Sequence, residues 1–117
     1  MRMMLVGAGA VGECIVKMLL ERDPKGEWFN YCLLGDISPD RLAEVKSRFS
    51  DPRLDYTYLN ATDKEGMKQL IAENNVDFVM DASSPFCANY VFDAAFEARA
   101  DYANMGTWSV PKKCLKP

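Results

Sequence analysis

The 117-residue chain contains no histidine, which removes the side chain whose ordinary pKa best suits proton transfer near neutral pH. Cysteine is sparse: Cys14, Cys32, Cys87 and Cys114 lie 18, 55 and 27 residues apart, with no CxxC pair. That spacing suits neither a zinc cluster nor a thioredoxin-type redox pair. No metal is expected, and the cysteines are read as reduced thiols of a cytoplasmic protein. Long apolar runs are missing as well. Met3-Met4-Leu5-Val6 meets glycine at once, far short of the roughly 20 residues that cross a bilayer, and Met1-Arg2 does not open a signal peptide. No membrane partner is expected. Nor is there an excess of basic residues: 14 Lys and Arg against 17 Asp and Glu leave a net charge of -3, and no basic run exceeds two residues. A nucleic-acid partner is therefore not expected. No G-x-S-x-G turn and no Walker A sequence occurs, so hydrolase and nucleotide-triphosphatase readings lack their local geometry.

What is present is an ordinary globular composition, 49% hydrophobic and 26% charged, in a chain long enough for one sizeable core and too short for two. Apolar residues 3–6 read as a strand. Val11, Ile15, Met18 and Leu19 then recur at helical spacing and are expected to face inward, and Asp23-Pro24-Lys25-Gly26 stops the helix near Arg22. A second strand is expected over 31–36. Ser38-Pro39-Asp40 next supplies an N-cap acceptor, a proline for the first helical position and an acid for the positive helix end, and Leu42, Val45 and Phe49 form the inward stripe. A third strand covers 54–59. Thr62-Asp63-Lys64-Glu65 fits a capping box for a helix that buries Met67, Leu70 and Ile71 and closes at Asn74-Asn75. A fourth strand over 76–80 ends at Asp81. The alanine-rich stretch 86–98 reads as a helix with Val91, Ala94, Ala95 and Ala98 facing the sheet, and 101–105 as a fifth strand. Alternation of this kind specifies an α/β fold with a right-handed, Rossmann-like, doubly wound and mostly parallel sheet, strand order 3-2-1-4-5.

The chemistry concentrates where the first strand becomes a helix. Gly7-Ala8-Gly9-Ala10-Val11-Gly12 matches GxGxxG in the strand-turn-helix context that gives the motif its meaning. Gly7 can make the tight turn, Gly9 lets backbone approach a pyrophosphate, and Gly12 permits close helix packing. The helix N-terminus offers unpaired N–H donors to the phosphates. A glycine-rich turn kept only for packing is the competing account. Asp36 lies 24 residues after Gly12, where an acid accepts hydrogen bonds from an adenosine ribose, with Ile37 beside it. A carboxylate there favours NAD as the cofactor. NADP remains open if Arg41 turns back toward its phosphate, and an ordinary strand-end acid is the plainest alternative. Asn60 and Ala61 are candidates for the adenine end, compatible with Thr62 as a helix cap. Ala82, Ser83 and Ser84 follow the fourth strand, where small residues would admit the nicotinamide side. Either serine can equally be a cap before Pro85.

Other residues carry blander readings. Asp77 and Asp81 bracket a strand as a turn acid and a strand-end polar group. Trp28, Phe29 and Tyr31 read as edge-strand packing, Lys112, Lys113 and Lys116 as a solvated tail, and Cys14 and Cys87 as core or helix residues. No residue stands out as a catalytic acid or base.

Three segments together resemble the N-terminal cofactor domain of the saccharopine dehydrogenase family, including lysine dehydrogenases and reductases. They are residues 5–12, Val76-Asp77-Phe78-Val79-Met80-Asp81-Ala82-Ser83-Ser84-Pro85-Phe86, and Ala100-Asp101-Tyr102-Ala103-Asn104. The resemblance implies an oxidoreductase that uses a nicotinamide cofactor for hydride transfer at a carbon-nitrogen bond of an amino acid or an adduct such as saccharopine. It also implies that residues 1–117 form an NAD(P)-binding domain of a larger enzyme. A C-terminal substrate domain would supply proton-transfer groups, the fragment alone would be inactive, and a homo-oligomer stays open. Family members often carry an acid where this chain has Asn104, and Asp36 differs from members that accept the 2'-phosphate of NADP. An NAD-responsive regulatory module and a purely structural α/β domain are the alternatives.

Overall fold

In the computed structural model, which describes residues 1–104, five strands form one sheet. Strands β1 (Arg2–Val6), β2 (Tyr31–Asp36), β3 (Leu54–Tyr58), β4 (Phe78–Asp81) and β5 (Asp101–Asn104) alternate with helices α1 (Ala10–Arg22), α2 (Pro39–Arg48), α3 (Lys64–Glu73) and α4 (Ala88–Glu97). The sheet order is β3-β2-β1-β4-β5, and every neighbouring pair is parallel. This is the doubly wound α/β architecture that the alternating pattern predicts.

Both sheet faces are covered, and the period-two geometry of β1 shows how. Met3 and Leu5 point into a core with Ile15, Val16 and Leu19 of α1 and Leu42 and Val45 of α2. Met4 and Val6 point the other way, into a core with Met67 and Ile71 of α3 and Val91, Ala94 and Ala95 of α4. Strand β1 is thus apolar on both sides because it is central and parallel. Each large side chain buried there contributes about 1.5–3 kcal/mol.

Several local expectations need correction. The inward stripe of α1 is Gly12, Ile15, Val16 and Leu19, whereas Val11 and Met18 are 47% and 46% exposed. Gly12 sets this rotation: only a residue without a side chain fits against the turn, so the helix seats itself on that face. Cys14 accordingly sits on α1 but is exposed rather than part of the core. The helix at residue 64 is capped by Asp63, whose carboxylate accepts the Gly66 N–H at 3.1 Å. Thr62 lies one residue before the cap position, and its hydroxyl and N–H both donate to Asn60 Oδ1. Strand β2 is internal, so Trp28, Phe29 and Tyr31 are not edge packing. Phe29 is fully buried, with the Arg53 guanidinium 5.0 Å from its ring centre, while Trp28 stays half exposed. A 3-10 turn, Pro85–Cys87, precedes α4 where helix was expected from 86.

Other local readings match. Ser38 caps α2 by accepting the Arg41 N–H at 3.2 Å, with Pro39 in the first turn. Asn74 caps α3 and Asn75 takes the left-handed conformation that ends helices, φ 52. Strand β4 starts two residues later than expected and ends at Asp81 as expected. Met105 and the segment 106–117, with Lys112, Lys113, Cys114 and Lys116, lie outside the described residues. Among the described residues, no helix is long and apolar enough to cross a membrane.

Candidate functional site

The turn between β1 and α1 is held from both sides. Gly7 N–H donates to the Gly35 carbonyl at 2.8 Å, and the Val6 carbonyl accepts from Ala82 N–H at 2.8 Å. Gly7 has φ +108, and a Cβ there would stand 2.7 Å from the Ala82 carbonyl oxygen. Only glycine meets both conditions. A Cβ on Gly12 would collide with the Gly7 carbonyl oxygen, so the third glycine lets α1 fold back onto its own entry turn. Gly9 differs from both. It is the N-cap of α1, no side chain caps the first turn, and a Cβ built on it meets nothing within 4 Å. The open space beside Gly9 is a cradle that a side chain would fill, and the first-turn amides of α1 have no side-chain acceptor.

This cradle opens into a cleft of about 380 Å³ at the carboxyl ends of the strands. Gly7 and Gly9 form one wall, Asp36 and Ile37 a second, Asn60 and Ala61 a third, and Ala82, Ser83 and Ser84 a fourth. The cleft straddles β1, where the strand order reverses, the usual position for a ligand in an open α/β sheet. Ala8, Ala10, Val11 and Gly12 do not line it. Ala8 and Gly12 are buried, while Ala10 and Val11 lie on the outer side of α1.

Asp36 ends β2 with both carboxylate oxygens engaged by backbone: Oδ2 accepts Ala8 N–H at 2.7 Å and Oδ1 accepts Ser38 N–H at 2.8 Å. Each oxygen keeps a further lone pair, so the group can still accept from ligand hydroxyls while being held in place. Arg41 approaches the same turn from outside. Its Nε donates to the Ala8 carbonyl, Nη2 lies 2.7 Å from Glu13, and Nη1 lies 2.8 Å from Glu44. Hydrogen bonds to Glu44 and Glu13 hold its pKa above the ordinary guanidinium value.

The strand-four wall is built from interlocked side chains. Asp81 is buried, 2% exposed. Its Oδ1 accepts the N–H and hydroxyl of Ser83, and its Oδ2 accepts the Tyr102 hydroxyl at 2.9 Å. Asn104 Nδ2 donates to the Tyr102 oxygen at 2.8 Å. Burial, then the bond to Asp81, pushes the Tyr102 pKa up. Ser84 caps the following 3-10 turn, accepting from Phe86 N–H at 3.3 Å. Each serine thus has a structural partner while lining the cleft. Asp81 is more than a strand-end polar group, and Asn104 is a hydrogen-bond donor where an acid was the family expectation.

Leu59, Thr62 and Cys87 also line the cleft, and sequence reasoning did not place them there. Cys87 follows Ser84 by three residues, a spacing that one helical turn brings to the same side. Tyr102 and Asn104 are two apart on a strand and so share a face, a signal that could have linked them but not their partner Asp81. Among the described residues no cluster of His, Cys, Asp and Glu could hold a metal.

The architecture is shared with solved structures. Over 99% of this chain and 24% of the other, it superposes on apo saccharopine dehydrogenase (L-Glu forming) from Saccharomyces cerevisiae with TM-score 0.73 and 16% identity. It also superposes on dTDP-glucose 4,6-dehydratase from Bacillus anthracis, solved in complex with NAD, with TM-score 0.73 and 14% identity over 89% of this chain and 36% of that one. The Bordetella bronchiseptica enzyme WbmG, solved with NAD and UDP, matches with TM-score 0.67 and 16% identity over the same shares, 89% and 36%. The chain therefore spans about a quarter to a third of the length of these structures. Identities this low speak for the fold alone. No curated protein sequence matches the chain. Residues 3–116, in contrast, match the family described as "Saccharopine dehydrogenase NADP binding domain". With nearly its whole length matched, the chain is an NAD(P)-binding Rossmann domain and belongs to the saccharopine dehydrogenase NADP-binding domain family.

Proposed function

We propose that this chain is the cofactor-holding part of an oxidoreductase that moves hydride at a carbon-nitrogen bond of an amino acid or its adduct, with NAD preferred over NADP. The observation that carries the cofactor site is the open cradle at Gly9, set at an uncapped helix start and facing the cleft that Asp36 borders. In this reading Gly7, Gly9 and the first-turn amides of α1 hold the diphosphate. Asp36, fixed by Ala8 and Ser38, accepts from the adenosine ribose, and Ile37, Asn60 and Ala61 flank the adenine end. Ala82, Ser83 and Ser84 leave room for the nicotinamide side. The nicotinamide, when bound, supplies the hydride chemistry; the chain's own residues bind and orient.

Preference for NAD rests on charge. A 2'-phosphate beside Asp36 would set two anionic groups together at the ribose. The proton-transfer groups and the amino-acid specificity are assigned to a substrate domain beyond residues 1–117, an assignment supported by the quarter of the yeast enzyme's length that this chain covers.

Titration of the chain with NADH and NADPH, followed by calorimetry, tests the reading. One-to-one binding with a lower Kd for NADH is expected, and Asp36→Ser should narrow the gap. Equal affinities in the unmodified protein would count against Asp36 as the discriminator.

A further inference from the structure

Arg41 and Asp36 are linked through a single residue, Ala8. The Ala8 N–H donates to Asp36 and the Ala8 carbonyl accepts from Arg41 Nε, so the guanidinium and the carboxylate grip opposite ends of the same residue. An arginine so close to the ribose acid is well placed to serve a 2'-phosphate, which guanidinium groups bind bidentately. Yet Arg41 does not line the cleft. It lines the outer groove between α1 and α2, with Ala10, Glu13 and Arg48. Two acids hold it there: Glu13 from α1 at 2.7 Å and Glu44 from its own helix at 2.8 Å. Glu13 is in turn held by Arg48, which also lies 3.7 Å from Glu44. Both terminal nitrogens of Arg41 are thus engaged by carboxylates outside the cleft.

We infer that Glu13 and Glu44 are specificity-determining residues: by retaining Arg41 in the outer groove they keep its charge from a 2'-phosphate and so set the domain's preference for NAD. The inference rests on the proposed cofactor site and deepens it. Asp36 supplies the repulsion; Glu13 and Glu44 withhold the attraction that would offset it. A dianionic phosphate recruiting Arg41 would have to displace two carboxylates and face a third. The family's name specifies NADP, and in this chain the arginine attached to the glycine turn is committed elsewhere. Ion pairs at partly exposed positions contribute little to stability, so the acids can be neutralised without expected loss of the fold.

The test is fluorescence titration of the full chain and its Glu13→Gln/Glu44→Gln variant with NADH and with NADPH, each protein's unfolding midpoint being measured alongside. Wild type should favour NADH. In the double variant the NADPH-to-NADH affinity ratio should rise by about tenfold, the scale of one new charge-assisted hydrogen bond to the phosphate. Adding Arg41→Ala should cancel the rise. Reading the ratio removes any general change in anion binding that follows from losing an acid near the first turn of α1. If the double variant unfolds, Glu44→Gln alone, on the more exposed acid, should shift the ratio in the same direction by a smaller amount. An unchanged ratio in a folded variant, or a shift that survives Arg41→Ala, overturns the inference while NADH binding by wild type leaves the cofactor site standing. Failure of wild type to bind either nucleotide overturns both.

Discussion

The glycine turn and the strand-four wall face each other across one cleft and are built by different means. At the turn, backbone conformation decides everything: Gly7 needs φ +108 and room beside Ala82, Gly12 needs room beside the Gly7 carbonyl, and Gly9 leaves a space empty. At the opposite wall, a buried carboxylate on β4 accepts from the Ser83 amide and hydroxyl in the following loop and from the Tyr102 hydroxyl on β5, to which Asn104 donates in turn. The first region is specified by what its side chains lack, the second by what they share. Substitutions at the turn should accordingly separate into steric failures and a ligand-only effect, whereas those at the wall should lower stability through unsatisfied polar groups.

The sharpest break is expected from Gly12→Val. Its side chain would enter the Gly7 carbonyl, and neither backbone segment can retreat, since Gly7 is tied to Gly35 and Val6 to Ala82. A loss of about 3 kcal/mol or more, enough to leave little folded protein, should appear in urea denaturation. Tyr102→Phe should come next. It removes a donor from buried Asp81 while the two Ser83 donors remain, and a loss of about 1–3 kcal/mol follows for an under-satisfied buried acceptor. A variant as stable as wild type would show that the wall does not depend on this bond.

The same tyrosine sharpens the comparison through pH. The fold raises the Tyr102 pKa from the ordinary 10.0, so its stabilising effect is fully present below pH 10 and declines as pH rises toward the folded value. Tyr31, raised to about 12 by burial and then by Asp55, and Cys32, raised to about 12 by burial, act in the same direction. Denaturation midpoints should begin to fall above pH 9, the ordinary thiol value, and fall further above pH 10, the ordinary tyrosine value, where the gap between wild type and Tyr102→Phe should narrow. A gap that stays constant would contradict the assignment.

How far each region is legible in the sequence follows from the same contrast. A GxGxxG turn is local: within six residues Gly7 needs a backbone conformation and Gly12 a close approach that only glycine meets, while Gly9 leaves open space, and alternating apolar runs then place the strand in a parallel sheet. Strand order, the Ser38-Pro39 cap, and the inward faces of α2, α3 and α4 are readable for similarly local reasons. The face of α1 is not, because hydropathy counts Val11 and Met18 as core and gives Gly12 no weight, while packing does the reverse. Thr62 and Asp63 are both competent caps, and the choice follows from where the helix starts: at Lys64, which leaves Asp63 at the cap position and Thr62 bonded to Asn60. The Asp81, Tyr102 and Asn104 cluster depends on β5 pairing with β4 so that Asp81 stands level with Asn104. That register joins residues more than 20 positions apart and leaves no periodic trace. The same holds for Arg41 and Glu13, which meet only after α1 and α2 pack together.

Gly9 marks the smallest expected effect on the fold. Because its Cβ direction is open, Gly9→Ala should change stability by less than about 0.5 kcal/mol, and a larger loss would mean that the turn is tighter than its geometry indicates.

The central claim is that the space beside Gly9 receives the cofactor's diphosphate, and calorimetric titration of NADH into wild type and Gly9→Val tests it most directly. The account predicts one-to-one binding to wild type and none detectable to Gly9→Val, with closely similar unfolding midpoints for the two proteins. Equal NADH affinities in both would contradict it.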